Sequence, residues 1–394
     1  MTAYEHRDRC AIAGIGATDF SRASGRSDLT LASQAALSAL DDAGLAPADV
    51  DGIVRCSHDT VQQHDLAHAI GVPRVTYWSD VGPGGVAPAG MVGQAVAAIL
   101  SGQATTVLVF RELNGRSGRR YGLADTTGGR VGGHGTYDEF FQPYGLLTPG
   151  QVFALMARRH MSEYGTEPEH LGHIAVTCRE RANANPMAQM HGRSMTMTDY
   201  REARTIAAPL RLFDFCLETD GACAVVVTST ERARDLRRPP ALIRAVAQAS
   251  IPDPQPGMMN PVLMRDTITE LPATAVADTL WTRAGLGPAD VDVAQLYDCF
   301  TITVLLQLED WGFCKKGEGG PFAASGALNL DGELPINTGG GHLSEGYVHG
   351  MNHIVEAVRQ IRGTSTSQVP DAQTCLVATS PLPPGSGLLL RTDT

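Results

Sequence analysis

Hydrophobic residues recur at helical spacing in two segments, Leu29 to Ala43 and Ala273 to Ala284, and each runs into nearly the same sequence. The first continues as Ala-Gly-Leu-Ala-Pro-Ala-Asp-Val-Asp to Asp51, and the second as Ala-Gly-Leu-Gly-Pro-Ala-Asp-Val-Asp to Asp292. In both copies the glycine predicts a helix end and the proline a turn, before a short apolar strand. The chain therefore contains an internal duplication of a helix, turn and strand unit.

Short apolar runs predict the strands, and Gln151 to Tyr164 has a helical pattern. The predicted strands are Cys10 to Gly14, Ile53 to Val54, Thr105 to Phe110, Cys223 to Thr228, Leu242 to Val246, Val293 to Leu296 and Cys375 to Thr379. Strands that alternate with helices indicate an α/β protein with parallel sheets and helices on their faces. We expect two related halves, residues 1–235 and 236–394. An excursion at about 111–205 in the first half is expected to cover an active site or a partner surface.

The composition excludes some classes of partner. The chain has 394 residues, 43% of them hydrophobic, with 31 Lys and Arg against 42 Asp and Glu, for a net charge of -11. This acidic balance does not favour nucleic-acid binding. The most apolar stretch, Gly82 to Gly102, is interrupted by Pro83, Pro88 and Gln94. We therefore expect no signal peptide or membrane span, and a cytoplasmic location.

The sequence offers no recognisable metal or nucleotide site. Its eight cysteines include no CxxC pair. His64 and His68, and likewise His349 and His353, are spaced to share a helix face, but two ligands alone do not make a metal centre, and we predict no metal. Gly14-Ile-Gly16 lacks the third glycine of a dinucleotide fingerprint, so neither NAD nor ATP is indicated.

Several short motifs follow one another in a family-like order. They are the loop and helix from Gly82 to Gly102, Ala157 to Gly165, Asn185-Pro186, Pro209-Leu210, Asp220-Gly-Ala222, Leu296 to Phe300, and Asn337 to Gly350. Together they resemble the thiolase superfamily, in the lipid-transfer-protein branch that includes the thiolase domain of sterol carrier protein X. The resemblance covers nearly the whole chain. It implies a duplicated thiolase fold, with two βαβαβ-type halves in α-β-α-β-α layers.

The residues that perform thiolase chemistry are missing. The nucleophilic cysteine of the family falls at about Gly85, and no cysteine lies between Cys56 and Cys178. The Gly-His-Pro motif is replaced by Gly346-Tyr-Val, and no cysteine follows Cys375. Without a thiolate no acyl-enzyme can form, so ordinary thiolase activity is not expected.

Two of the replacements are tyrosines. Tyr297 stands where relatives have His or Asn, and Tyr347 stands at the histidine of Gly-His-Pro. This pair resembles the steroid side-chain-cleaving aldolases, which implies retro-aldol cleavage of a steroid β-hydroxyacyl-CoA with a tertiary hydroxyl to a ketosteroid and propionyl-CoA. Tyr297 and Tyr347 are then the general acid and base, in an order that the sequence leaves open. No cofactor is expected besides the coenzyme A of the substrate.

Other site residues follow from the same resemblance. Backbone N–H groups of Gly84, Gly85 and Gly340 are expected to bind the enolate oxygen, and the glycine at 85 to clear room for a bulky substituent. Of five clustered arginines suited to the coenzyme A phosphates, Arg119 and Arg120 are the leading candidates; the others are Arg111, Arg116 and Arg130. His342, Asp298 and His349 flank the tyrosines. A structural role is favoured for each of them, and the alternative is that they tune or hydrogen-bond the tyrosines.

The family resemblance also implies partners. We expect a homodimer formed through the sheets, together with an OB-fold protein carrying a zinc ribbon in a heterotetramer. Two rival functions remain open. One is a non-catalytic lipid-transfer or scaffold subunit, in which the two tyrosines would point in unrelated directions. The other is a thiolase or acetyltransferase with a displaced nucleophile such as Cys299.

Overall fold

The computed structural model describes residues 4–82, 84–118, 120, 141–254 and 260–393. The strands are β1 (Cys10–Ala17), β2 (Gly52–Cys56), β3 (Tyr77–Val81), β4 (Thr106–Asn114), β5 (Thr205–Ala207), β6 (Leu210–Arg211), β7 (Asp220–Ser229), β8 (Ala241–Ala249), β9 (Val293–Leu296), β10 (Thr374–Thr379) and β11 (Gly385–Arg391). The helices are α1 (Asp28–Ala43), α2 (Gln63–Ile70), α3 (Pro88–Leu100), α4 (Pro149–Tyr164), α5 (Pro168–Ala184), α6 (Met197–Glu202), α7 (Thr230–Arg234), α8 (Ala273–Ala284), α9 (Thr301–Asp310), α10 (Gly319–Ala324) and α11 (Met351–Ile361).

The duplication is visible in the main sheet, whose strand order is β3-β2-β4-β7-β1-β8-β11-β10-β9. The run β2-β4-β7-β1 is repeated as β9-β10-β11-β8 in mirrored order about the β1–β8 pair. That central pair is short, with Ala11 opposite Leu242 and Ile12 opposite Ala241. The two half-sheets are therefore joined edge to edge, and the duplicated α/β fold expected from the sequence is confirmed.

The sheet is mixed, so the expectation of parallel sheets is wrong for part of it. β2 runs parallel to β3 and β4, and β9 runs parallel to β10. The remaining neighbours in the main sheet are antiparallel. The reason is plain at β10 and β11, since the few residues between Thr379 and Gly385 can connect only antiparallel neighbours.

The layers follow from the faces that each helix covers. α3 and α11 lie between the half-sheets and contact strands of both. α1 and α2 cover the outer face of the first half-sheet, and α8 and α9 cover that of the second. The order is thus α-β-α-β-α. Because α3 and α11 are enclosed on both sides, the loops at their N-termini are held inside the molecule.

The excursion differs in part from the expectation. Its first residues belong to β4, which continues to Asn114, and residues 119 and 121–140 of its Gly/Arg/Thr-rich segment lie outside the described residues. The helix predicted around Gln151 to Tyr164 is confirmed as α4. Phe153 of α4 and Ile174 of α5 share a core with α9, so the excursion packs on the second half.

All seven predicted strands are present, while β3 and β11 of the main sheet and the short strands β5 and β6 were missed. β11 begins Gly-Ser-Gly and follows two prolines, a composition typical of a turn. Gly387 is required there because a Cβ atom would collide with the Trp311 ring. Among the described residues, no helix combines the length and the apolar character needed to cross a membrane.

Candidate active site

Tyr297 follows β9 directly and is held by the backbone. Its N–H donates to the carbonyl of Ala378 on the neighbouring strand at 3.1 Å. Its carbonyl accepts hydrogen bonds from Gln307 Nε2 at 2.7 Å and from Thr303 Oγ1 at 2.9 Å, both on α9. Only 2% of Tyr297 is exposed. The side chain therefore has one fixed position at the end of a buried strand, where ligands bind in open α/β sheets.

Tyr347 lies in the loop between a single turn of π-helix, Gly341–Glu345, and α11. Its backbone N–H donates to Thr219 Oγ1 at 2.9 Å. Gly340 begins the π-turn with a φ of 110°, and a Cβ there would lie 2.6 Å from the Cβ of Ala182. The glycine is thus required by the close approach of this loop to α5.

The structure brings the two tyrosines together. Their hydroxyl oxygens lie 3.0 Å apart and share a hydrogen bond. Gly85 belongs to the turn Gly84–Val86 before α3, and a Cβ at this position would overlap the Tyr297 hydroxyl. Tyr297, Tyr347 and Gly85 therefore meet at one point, and the catalytic role of the two hydroxyls stays a prediction.

Two expectations about the glycines are wrong. The space beside Gly85 is not open to a bulky substituent, because the Tyr297 hydroxyl fills it. The N–H of Gly340 already donates to the carbonyl of Asn337 at 2.8 Å, which leaves it no proton for an enolate oxygen. Gly84 and Gly85 stay as the predicted oxyanion donors. Gly84 has a φ of 46°, a left-handed conformation that favours glycine.

Burial sets the protonation of the tyrosines. It raises the pKa of Tyr297 and of Tyr347 well above the usual value of a phenol, because a phenolate would lose its hydration. Each hydroxyl is therefore neutral near pH 7. A proton can still pass along the hydrogen bond between them if one hydroxyl gains a proton as it gives one away.

Asp298 and two histidines brace the site from behind. The Asp298 carboxylate accepts the backbone N–H groups of His342 at 2.8 Å and of Leu343 at 3.1 Å. Burial acts to raise the pKa of Asp298, but His353 and the hydrogen bond from the backbone N–H of His342 outweigh it and lower the pKa. The His342 ring packs edge to face against the rings of Tyr297 at 4.6 Å and Tyr347 at 5.0 Å. Burial lowers the pKa of His342 to about 3, so this ring is neutral.

Asp298, His342 and His353 are close enough together to be considered as ligands of a cation. Atoms of Asp298, His342 and His353 lie within 4.8 Å of one another. The two imidazoles, however, stack with centroids 4.2 Å apart and planes inclined by 11°. A metal ion binds in the plane of each imidazole that ligates it, and two nearly parallel planes have no common point for the ion. The arrangement does not fit a metal ion. His349 lies before α11, so it does not share a helix face with His353 as the sequence suggested.

Of the five arginines, Arg111 is not a surface phosphate ligand, and that expectation is wrong. It is fully buried, forms an ion pair with Asp59, and donates to His349 Nδ1. Arg120 lies at the surface and pairs with Glu218 at 2.6 Å, and Arg116 is 3.4 Å from the same carboxylate. Arg119 and Arg130 lie outside the described residues. The sequence pattern missed the role of Arg111 because an arginine at the end of an apolar strand gives no sign of its burial.

Comparisons with known proteins agree with this geometry. A family model described as thiolase C-terminal domain-like matches residues 259–381. The chain is 46% identical to a steroid side-chain-cleaving aldolase of Thermomonospora curvata, over 97% of this chain and 98% of that protein. It is 45% identical to a 17-hydroxy-3-oxo-4-pregnene-20-carboxyl-CoA lyase of Mycobacterium tuberculosis, over 97% of this chain and 99% of that protein.

Solved structures give the same result. A structure described as an Ltp2-ChsH2(DUF35) aldolase has a TM-score of 0.90 and 44% identity, and the match covers 98% of both chains. Human mitochondrial 3-ketoacyl-CoA thiolase, at 14% identity and a TM-score of 0.70 over 99% of this chain and 100% of that chain, shares the fold. The chain therefore belongs to the thiolase superfamily, in the family of the steroid side-chain-cleaving aldolases.

Proposed function

We propose that this aldolase cleaves the CoA thioester of a steroid side chain that carries a tertiary β-hydroxyl, and releases a ketosteroid and propionyl-CoA. The observation that carries the proposal is the hydrogen bond between Tyr297 and Tyr347 beside Gly85. A pair of phenols stands where a thiolase would need a thiolate and an imidazole. The relative from Mycobacterium tuberculosis described above is named as a lyase of a hydroxylated steroid carboxyl-CoA, which agrees with this proposal.

The reaction needs one proton to move from oxygen to carbon. One tyrosine takes the proton of the β-hydroxyl and, in the same step, gives its own phenolic proton to the other along their 3.0 Å hydrogen bond, so neither phenol becomes charged. The electron pair of the substrate O–H bond forms the ketone C=O, the Cα–Cβ bond breaks, and its electron pair passes into the thioester as an enolate. The other tyrosine gives its own proton to Cα as it receives the first tyrosine's proton, which yields propionyl-CoA and leaves both tyrosines neutral. No bond forms between enzyme and substrate.

A displaced cysteine nucleophile has no support in the structure. Cys299 is buried beside Thr303, and burial raises the pKa of its thiol far above the ordinary value. Burial likewise raises the pKa of the other seven cysteines. A nucleophilic cysteine requires the opposite shift. The proposal therefore excludes an acyl-enzyme.

The proposal includes a homodimer formed through β3. This strand is the outermost one on its side of the sheet and pairs with β2 alone. Its Trp78 side chain is 65% exposed. An edge strand whose outer side has no neighbouring strand, and which carries an exposed aromatic residue, is suited to pair with the same edge of a second copy. The edge supports the dimer that the family resemblance implies.

An OB-fold partner with a zinc ribbon, in a heterotetramer, completes the proposal. The structural relative named above is described as an aldolase together with a DUF35 protein, which supports a partner of that kind. Arg119 and Arg120 stay the predicted ligands of the coenzyme A phosphates, and the cytoplasmic location stays a prediction.

The deciding experiment supplies a β-hydroxyacyl-CoA of a steroid with a tertiary hydroxyl to the chain, with and without the OB-fold partner. Mass spectrometry should detect equal amounts of ketosteroid and propionyl-CoA, and no acyl group on the protein. If the complex binds the thioester but leaves it intact, the chain is a carrier or scaffold. If an acylated cysteine accumulates, it is a condensing enzyme.

A further inference from the structure

Arg111 makes a contact that the chemistry above does not use. From the buried strand β4, its Nε and Nη2 approach Nδ1 of His349 to 3.2 Å and 2.8 Å. The guanidinium is held in place by the Asp59 carboxylate and by the carbonyl of Glu112. Both Arg111 and Asp59 have fully buried side chains. An arginine anchored in this way has little freedom to turn away from the histidine.

The contact determines which nitrogen of His349 carries the proton. A guanidinium has only donors, so the Nδ1 atom facing Arg111 must accept and therefore has no proton. A neutral imidazole then bears its proton on Nε2. Burial lowers the pKa of His349 well below the ordinary value, and Arg111, His58 and His342 act in the same direction. The ring is therefore a neutral Nε2–H donor.

His349 packs beside Tyr347 and beside the turn that contains Gly84. Its ring lies perpendicular to that of Tyr347, with centroids 4.8 Å apart. Its Cε1 atom lies 3.7 Å from the position where a Cβ of Gly84 would be. His349 adopts a φ of 50°, unusual for a residue other than glycine, and is 5% exposed. The fold thus holds this imidazole between Arg111 on one side and the Gly84 turn on the other.

We infer that His349 donates its Nε2–H to the thioester enolate oxygen, and that Arg111 is the positioning residue that fixes the tautomer. This inference rests on the proposed retro-aldol function. The negative charge on that oxygen develops as the Cα–Cβ bond breaks, so a fixed N–H donor lowers the barrier. His349 thereby adds a side-chain donor beside the predicted backbone donors of Gly84 and Gly85.

The first experiment determines the tautomer of His349 in the absence of substrate. In protein labelled with ¹⁵N at histidine, the His349 signal should show an unprotonated Nδ1 and a protonated Nε2. This signal should not change between about pH 5 and pH 8, the range in which an ordinary histidine changes charge. It should vanish in His349→Asn, whose asparagine tolerates the left-handed φ, and shift in Arg111→Lys.

Turnover gives the second reading. His349→Asn should lower kcat by about a hundred- to a thousand-fold with little change in KM, the usual cost of one oxyanion donor. Arg111→Lys keeps a charged donor beside His349, so its kcat should lie between that of His349→Asn and that of the parent. His64→Asn is the matched control, since His64 is an 81% exposed side chain on α2, and should keep the parent rate.

Different results would contradict the inference about His349 and the proposed retro-aldol function. A His349 signal that titrates in this range or shows a protonated Nδ1, or a parent-like kcat in a folded His349→Asn, overturns the inference and leaves the tyrosine mechanism standing. If the parent complex does not cleave the thioester, the proposed function fails, whatever the tautomer measured in the resting protein.

Discussion

Gly85 and Tyr297 occupy each other's space, because the Cβ that Gly85 lacks would coincide with the Tyr297 hydroxyl. The family resemblance implies the thiolase nucleophile at residue 85, and a phenol from a distant part of the chain fills the space beside that residue. A cysteine cannot be restored at residue 85 while Tyr297 keeps its place.

Gly85→Cys should abolish retro-aldol cleavage without creating thiolysis. The added Cβ displaces the Tyr297 hydroxyl, and Tyr347 cannot replace an imidazole as a base near neutral pH. Cleavage of the steroid thioester and thiolysis of a 3-ketoacyl-CoA measure the two activities. Gly85→Ala is the matched variant, because it adds the Cβ without a thiol and should lose cleavage to the same extent. Thiolysis by Gly85→Cys would contradict this account.

Tyr297→Phe and Tyr347→Phe should each lower kcat by about a hundred- to ten-thousand-fold, as expected for the loss of a general acid or base. Each variant keeps the ring that packs on His342, so the melting temperature should change little. Single-turnover cleavage measures the chemical step. Tyr164→Phe, at a 40% exposed residue of α4, should behave like the parent. Parent-like rates in both active-site variants would end the two-tyrosine mechanism.

Glu345 should make the protein less stable as the pH rises. Burial raises its pKa to about 8, against a partial opposing effect of Arg359, from an ordinary value of 4.5. Between these values the folded state binds the proton and the unfolded state does not. The free energy of unfolding therefore falls with rising pH across this window.

Glu345→Gln should remove that slope and become more stable than the parent toward pH 8, because glutamine stays neutral and its amide oxygen still accepts one of the two hydrogen bonds that Asn185 and Asn352 donate to Glu345. Urea unfolding across the window measures the difference. Glu202→Gln, exposed on α6, is the control and should follow the parent curve. Parallel curves for Glu345→Gln and the parent would show that Glu345 titrates normally in the folded state.

Trp78→Lys should dissociate the proposed dimer. A lysine on the edge strand β3 places a charge from each copy at the shared edge and removes a 65% exposed aromatic side chain. Sedimentation velocity measures the fraction of dimer. Leu37→Lys, at a 45% exposed residue of α1, should leave the assembly unchanged. A dimer that survives Trp78→Lys would place the interface elsewhere.

Much of the fold could be predicted from local patterns. The repeated Ala-Gly-Leu unit marked the two halves, and all seven predicted strands formed, because periodicity and turn residues act over short distances. The edge strand β3 was missed, since two of its five residues, Trp78 and Asp80, are exposed and the strand has no apolar run. β11 was missed because its glycines are needed for close packing against residues from distant parts of the chain. A Cβ at Gly387, for example, would collide with the ring of Trp311.

The sequence by itself determined the duplicated α/β fold, and it singled out Tyr297 and Tyr347 by the positions they hold in two motifs. Only the tertiary structure decided what surrounds them. It placed Tyr297 in the space beside Gly85, engaged the amide of Gly340 with Asn337, and buried Arg111 against Asp59 and His349. These outcomes depend on residues far apart in the chain. A hydrogen bond or a buried charge is settled by its partner in space, and no local pattern encodes that partner.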